Sequence, residues 1–225
     1  MATKNVNNKP ESNQAVGEAV SGVELFLKKH GNLLSIILLI ILVIACAIVA
    51  VNRWVIKPAQ QEARAAAAGA ERYFQMSQYE QALNGDGNAL GLADIIDQYG
   101  KKAGEGVYFE AGVCQLLLKN YSEAINYLKK YNGKDDILKA RAKCCIGDAY
   151  VGLGDNEAAL AAYKAAIKVG STAFTPAYIL KAGLAAEELG DKEAALAFYN
   201  DIKVKYPASQ QAAEIDKYIS RLNAQ

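Results

Sequence analysis

Three glycines, Gly112, Gly147 and Gly183, stand 35 and 36 residues apart, and Ala124, Ala159 and Ala195 reproduce the same two intervals. The neighbouring residues keep that register. Asn120-Tyr121-Ser122-Glu123-Ala124-Ile125 corresponds to Asp155-Asn156-Glu157-Ala158-Ala159-Leu160 and to Asp191-Lys192-Glu193-Ala194-Ala195-Leu196, and a large residue (Leu128, Tyr163 or Tyr199) follows each alanine by four. A fixed period in the mid-thirties with this internal pattern marks helix-turn-helix units stacked into a solenoid. The small residues let two antiparallel helices approach closely, the large ones fill the space beside them, and no unit can bury its apolar face without a neighbour. The expected fold class is all-α: a helical solenoid of about three to four repeats closed by a capping helix.

These positions resemble the tetratricopeptide repeat (TPR) family. The second repeat carries Gly147, Tyr150, Ala159, Tyr163 and Ala166 at the family's alternating small and large positions, and the third carries Gly183, Ala195, Tyr199 and the terminal Pro207. Gln115 and Ala186 stand where the family usually has Tyr, Lys143 where it has Trp, and Ile202 where it has a small residue, so the repeats are degenerate. Repeats are expected over 105–138, 140–173 and 176–209. Thr175-Pro176 reads as an N-cap followed by proline at the first helical position, and Gly154 and Gly190 read as helix stops before the N-cap candidates Asp155 and Asp191. From Ser209 to Leu222, Ala212, Ile215, Ile219 and Leu222 share one helical face, which assigns 210–225 to the cap. Upstream, 58–104 reads as an Ala-rich helix over Ala59–Leu83, a loop at Asn84–Asn88, and a helix from about Ala89 to Tyr99, together an irregular first repeat.

Leu33 to Val51 is a run of 19 residues in which Ser35 is the one polar member. At about 1.5 Å per residue it reaches about 28 Å, close to the thickness of a bilayer's hydrocarbon core. Lys28, Lys29 and His30 precede it, Arg53 and Lys57 follow it, and Trp54 falls at interface depth. A membrane anchor is therefore expected over 23–57, with the span at about 33–51 and a disordered polar tail over 1–22. A cleaved signal peptide fits less well, because its apolar region is shorter and nearer the N-terminus. Val43-Ile44-Ala45-Cys46 has the form of a lipoprotein processing box, but Ala47–Val51 continues apolar. Basic residues on both sides argue against a buried core helix. They also leave orientation undecided, with four Lys before the span and three Lys or Arg in the 20 residues after it.

The 25 Lys and Arg against 24 Asp and Glu leave a net charge of +1, without the basic excess of a nucleic-acid binder. One histidine, His30, cannot complete an imidazole triad or a common zinc site. The Asn84–Asn88 loop is too short for a calcium loop and lacks its downstream Glu, so turn chemistry is the expectation. Asp135-Asp136 and Glu187-Glu188 are adjacent pairs that diverge by about 100° on a helix and form no convergent acid-base site. No Gly-Lys-Ser or Gly-Lys-Thr phosphate loop occurs. Cys114, Cys144 and Cys145 read as small buried hydrophobes on the first helices of repeats, with a Cys114–Cys144 disulfide left open. No enzyme, cofactor, metal or small-molecule substrate is expected.

The TPR resemblance implies a groove lined by the first helix of each repeat. Carried onto this chain, the groove positions are Phe109, Val113 and Leu116; Arg141, Cys144, Asp148 and Val151; and Leu180, Leu184 and Glu187. This lining is largely apolar and lacks the Lys and Asn set that clamps acidic C-terminal peptides, so it suits a hydrophobic segment of another protein. Alternatively, some of these residues are covered by the irregular first repeat. The order of features (polar tail, Val23-Glu24-Leu25-Phe26 before the basic flank, one span, Ala-rich helix, degenerate repeats) is similar to the ancillary SecYEG translocon subunit family. Gly91-Leu92-Ala93-Asp94-Ile95-Ile96-Asp97-Gln98-Tyr99-Gly100 also looks like bacterial TPR proteins of this type. That resemblance implies a bacterial inner-membrane protein with a cytoplasmic N-terminus and periplasmic repeats. The implied partners are translocon subunits, a membrane-anchored peptidyl-prolyl isomerase-like chaperone, unfolded clients and the lipid bilayer. Tyr206-Pro207-Ala208-Ser209 is similar to repeats in envelope-assembly and division-associated TPR proteins, which is the alternative reading.

Overall fold

The computed structural model describes the backbone from Glu11 to Ala224 and the side chains from Lys28 to Ala224. The chain divides into two compact units, Met1–Pro58 and Ala59–Gln225, and among the described residues it contains helices and turns but no strand.

The first unit contains α1 (Glu11–Val51) and a π-helical turn at Asn52–Ile56. Of the expected polar tail, residues 1–10 lie outside the described residues, whereas residues 11–22 belong to α1. Adding a residue to an existing helix needs no new nucleus, so a polar stretch with Gln14, Ala15, Glu18 and Ala19 can extend a helix formed by the apolar segment after it. The helix from Lys28 onward is long and apolar enough to cross a membrane, with a mean hydropathy of 3.4 in its most apolar window and none of that window buried. The π turn ends where the Lys57 N–H donates to the Asn52 carbonyl five residues back. Pro58, which has no N–H to offer, follows directly, so a change of helical register accommodates it.

The second unit pairs helices. α2 (Lys57–Gln75) is followed by α3 (Tyr79–Asn84) and α4 (Leu92–Tyr99), then by a 3-10 turn at Gly100–Ala103. The regular pairs are α5 (Gly106–Leu117) with α6 (Tyr121–Lys130), α7 (Asp136–Gly152) with α8 (Asn156–Ile167), and α9 (Thr175–Glu188) with α10 (Lys192–Lys205). α11 (Ile215–Asn223) closes the stack.

The continuous helix expected over Ala59–Leu83 is broken at Met76–Gln78. Ser77, Lys119, Gly154 and Gly190, which follow α2, α5, α7 and α9, all have positive φ (60°, 64°, 77° and 74°). In each turn the next N–H reaches a carbonyl five residues back: Gln78 to Tyr73, Asn120 to Gln115, Asp155 to Tyr150 and Asp191 to Ala186. This is the Schellman helix stop. α2 is thus the first helix of a fourth helical pair. Its second helix stops early, because the chain leaves helical geometry at Gly85.

Packing follows the small-large pattern. A Cβ added at Gly112 would overlap Leu128, one at Gly147 would overlap the ring of Tyr163, and one at Gly183 would overlap the ring of Tyr199. Ile215 and Leu222 of α11 are buried against Tyr199 and Ile202. Two expected boundaries shift. The cap becomes helical only at Ile215, because Ala212 and Glu214 bond three residues back to Ser209 and Gln211 in a turn. Thr175 is not an N-cap but the first residue of α9, after Phe174. Its buried hydroxyl accepts from the Thr172 N–H and donates to the Gly170 carbonyl, tying down the loop before the helix.

Candidate protein-binding groove

The ten carried-over groove positions divide three ways. Phe109 and Val113 are 7% and 9% exposed and pack with Leu128 and Ala142. Phe74 of α2 and Tyr131 cover this cluster, so the irregular first repeat removes both residues from the groove. Cys144 is buried, and Leu116 is half-buried against Ile125 and Ala149. Arg141 is exposed, with its guanidinium 5.9 Å from the centre of the Phe109 ring. Leu180 borders a separate small pocket next to Gln211 and Tyr218.

The structure brings Asp148, Val151 and Leu184 together in a cleft of about 440 Å³ between α7 and α9, joined by Tyr163, Lys181 and Glu188. Val151 and Leu184 are 47% and 36% exposed. The charges in the cleft largely satisfy each other. The Lys181 ammonium lies 2.6 and 2.7 Å from the two Asp148 carboxylate oxygens, and the Tyr163 hydroxyl donates to Asp148 at 2.8 Å. Burial first, and then the Asp148 carboxylate, raises the Tyr163 pKa, so its hydroxyl remains a neutral donor.

Glu187 lies at the next junction. Both its carboxylate oxygens accept from Arg221 of α11, at 2.8 and 2.6 Å, and it also accepts from the Tyr199 hydroxyl. A tyrosine and a cation therefore hold the acid at each of these two junctions, with the cation supplied by the element that follows. Asp148 and Glu187 act as inter-repeat bridges as well as carried-over groove positions.

Lys181 was not among the expected site residues, although the repeat register shows its role. It stands two residues before Gly183, and Asp148 stands one residue after Gly147. At the preceding junction those two places are taken by Cys145 and Val113, which meet in one apolar cluster. With Ala82 aligned on Ala124, Ala70 takes the glycine's place in α2, and the same two places are Glu110 and Glu71.

The remaining polar features are structural. Asp86 accepts from the Asn88 and Ala89 N–H groups and from the Tyr73 hydroxyl, which holds its carboxyl down at about 2 and makes the Asn84–Asn88 loop a turn. Cys114 and Cys144 are free and lie in separate core clusters, so the disulfide left open by the sequence does not form. Burial pushes both thiols up to about 12 and Cys145 to about 11.

The tetratricopeptide repeat family model matches residues 146–210, from within α7 to the turn beyond α10. No curated protein matches the chain. The helical pairs and this match define a TPR-like helical solenoid, an architecture that binds other proteins.

Proposed function

We propose that this chain is a membrane-anchored TPR scaffold or chaperone-like protein that holds other proteins at the bacterial inner membrane, as an ancillary translocon subunit assisting secreted or envelope proteins. The observation that carries the binding role is the open cleft between α7 and α9. Its exposed Val151 and Leu184 offer apolar surface, and Asp148 and Lys181 on its floor are already paired with each other, so an apolar segment can enter without separating that pair. Because Phe109 and Val113 are covered, capture centres on the second and third repeats. Anchoring rests on the apolar length of α1, which the protein leaves uncovered. The periplasmic placement of the repeats rests on the family resemblance.

Photo-crosslinking amino acids at Val151 and Leu184 in cells, with mass spectrometry of the adducts, test this reading. Translocon subunits, a membrane-anchored peptidyl-prolyl isomerase-like chaperone or nascent secreted chains are expected, with far fewer adducts from buried position 109. Adducts with lipid alone would overturn the role, and division or outer-membrane assembly proteins would reassign it. Protease added to spheroplasts should digest the repeats; their protection would overturn the periplasmic placement.

A further inference from the structure

One inter-repeat position carries three different chemistries along this solenoid. Between α7 and α9 it holds the Asp148–Lys181 ion pair, and between α5 and α7 the apolar Val113 and Cys145. Between α2 and α5 it holds two acids, Glu71 and Glu110. Glu110 Oε2 is buried without a hydrogen-bond partner. Burial first, and then the Glu71 carboxylate on α2, raises the Glu110 carboxyl to about 7. The other titratable group beside it is the Cys114 thiol on α5, itself pushed up to about 12 by burial and by Glu110. From α3, α4, α6 and α7 no charged group contributes to the Glu110 shift. A cation at this position would join the two repeats as Lys181 does further along; instead, two carboxylates repel once both are ionised.

We propose that the acid pair Glu71 and Glu110, at the core shared by α2 and α5, is a pH-sensitive junction that holds the first helical pair against the second while Glu110 is protonated and loosens it when Glu110 ionises. The sign follows from linkage. A carboxyl whose pKa is raised by docking keeps its proton when the undocked group has lost it, so docking is strongest below the undocked value of about 4.5 and weakens as pH rises towards 7. The acid pair lies outside the cleft between α7 and α9, so this device stands or falls independently of binding there.

Hydrogen exchange of the full chain in detergent micelles, between pH 5.5 and 8.5 and corrected for intrinsic rates, tests it. The α2 and α3 amides should open roughly tenfold more often at the upper pH, less than full linkage allows because the carboxyl is partly exposed, while α9 and α10 stay unchanged. Glu110→Gln should remove the difference. Glu71→Lys, which recreates the cationic partner, should remove it and protect α2 at every pH. An unchanged pH response in Glu110→Gln, or a more open α2 in Glu71→Lys, would overturn the proposal.

Discussion

Glycine at 147 serves close approach rather than backbone freedom. In a helix interior alanine is favoured over glycine by about 1 kcal/mol, so Gly147→Ala would stabilise an open helix. Here the new methyl meets the Tyr163 ring, which is 3% exposed and tied to Asp148. Overpacking costs about 1–3 kcal/mol. The net effect should be destabilising by up to about 2 kcal/mol, read as a lower urea midpoint, whereas Gly106→Ala, which meets nothing within 4 Å, should be neutral or slightly stabilising. A midpoint raised by Gly147→Ala would contradict the packing account. The cysteines make a second test at this scale. Because burial disfavours the thiolates of Cys114 and Cys144, their alkylation at pH 8 should track global unfolding in urea. Fast labelling before loss of helix would show that the first helices open locally.

Among elements, repeat boundaries were legible where the stop residue was a glycine. Gly154 and Gly190 announced the ends of α7 and α9, but Ser77 and Lys119 make the same turn without glycine. The helix over Ala59–Leu83 was therefore read through its break. The missed signal was Ser77-Gln78-Tyr79-Glu80-Gln81-Ala82-Leu83, which runs in register with Lys119-Asn120-Tyr121-Ser122-Glu123-Ala124-Ile125. What joins one repeat to the next was less legible, because it pairs residues nearly a full period apart. A double-mutant cycle with Asp148→Asn and Lys181→Met should give a coupling of about 0.5–1 kcal/mol, modest because both side chains are partly exposed. A coupling of zero would reduce the bridge to a surface contact.

For the whole molecule, stacking without long-range closure means that damage should stay local. Ile215 is fully buried at the foot of the α9–α10 pair. Ile215→Ala should cost about 2–5 kcal/mol there, seen as faster hydrogen exchange in α9 and α10 with α5 and α6 still protected; equal loss everywhere would mean one cooperative unit. The periodicity alone determined the all-α class, the helix pairing and the small-large contacts, because each follows from side-chain volume at a repeated spacing. The apolar run likewise announced a helix of membrane-spanning length, since length and hydropathy are local properties. Only the tertiary structure decided which groove positions stay open. Phe109 and Val113 match the pattern as well as Val151 does, but Phe74 of the irregular first repeat, whose cover the sequence left as one of two alternatives, packs over them. Exposure depends on what neighbours a residue in space, and a degenerate repeat hides that neighbour from the sequence.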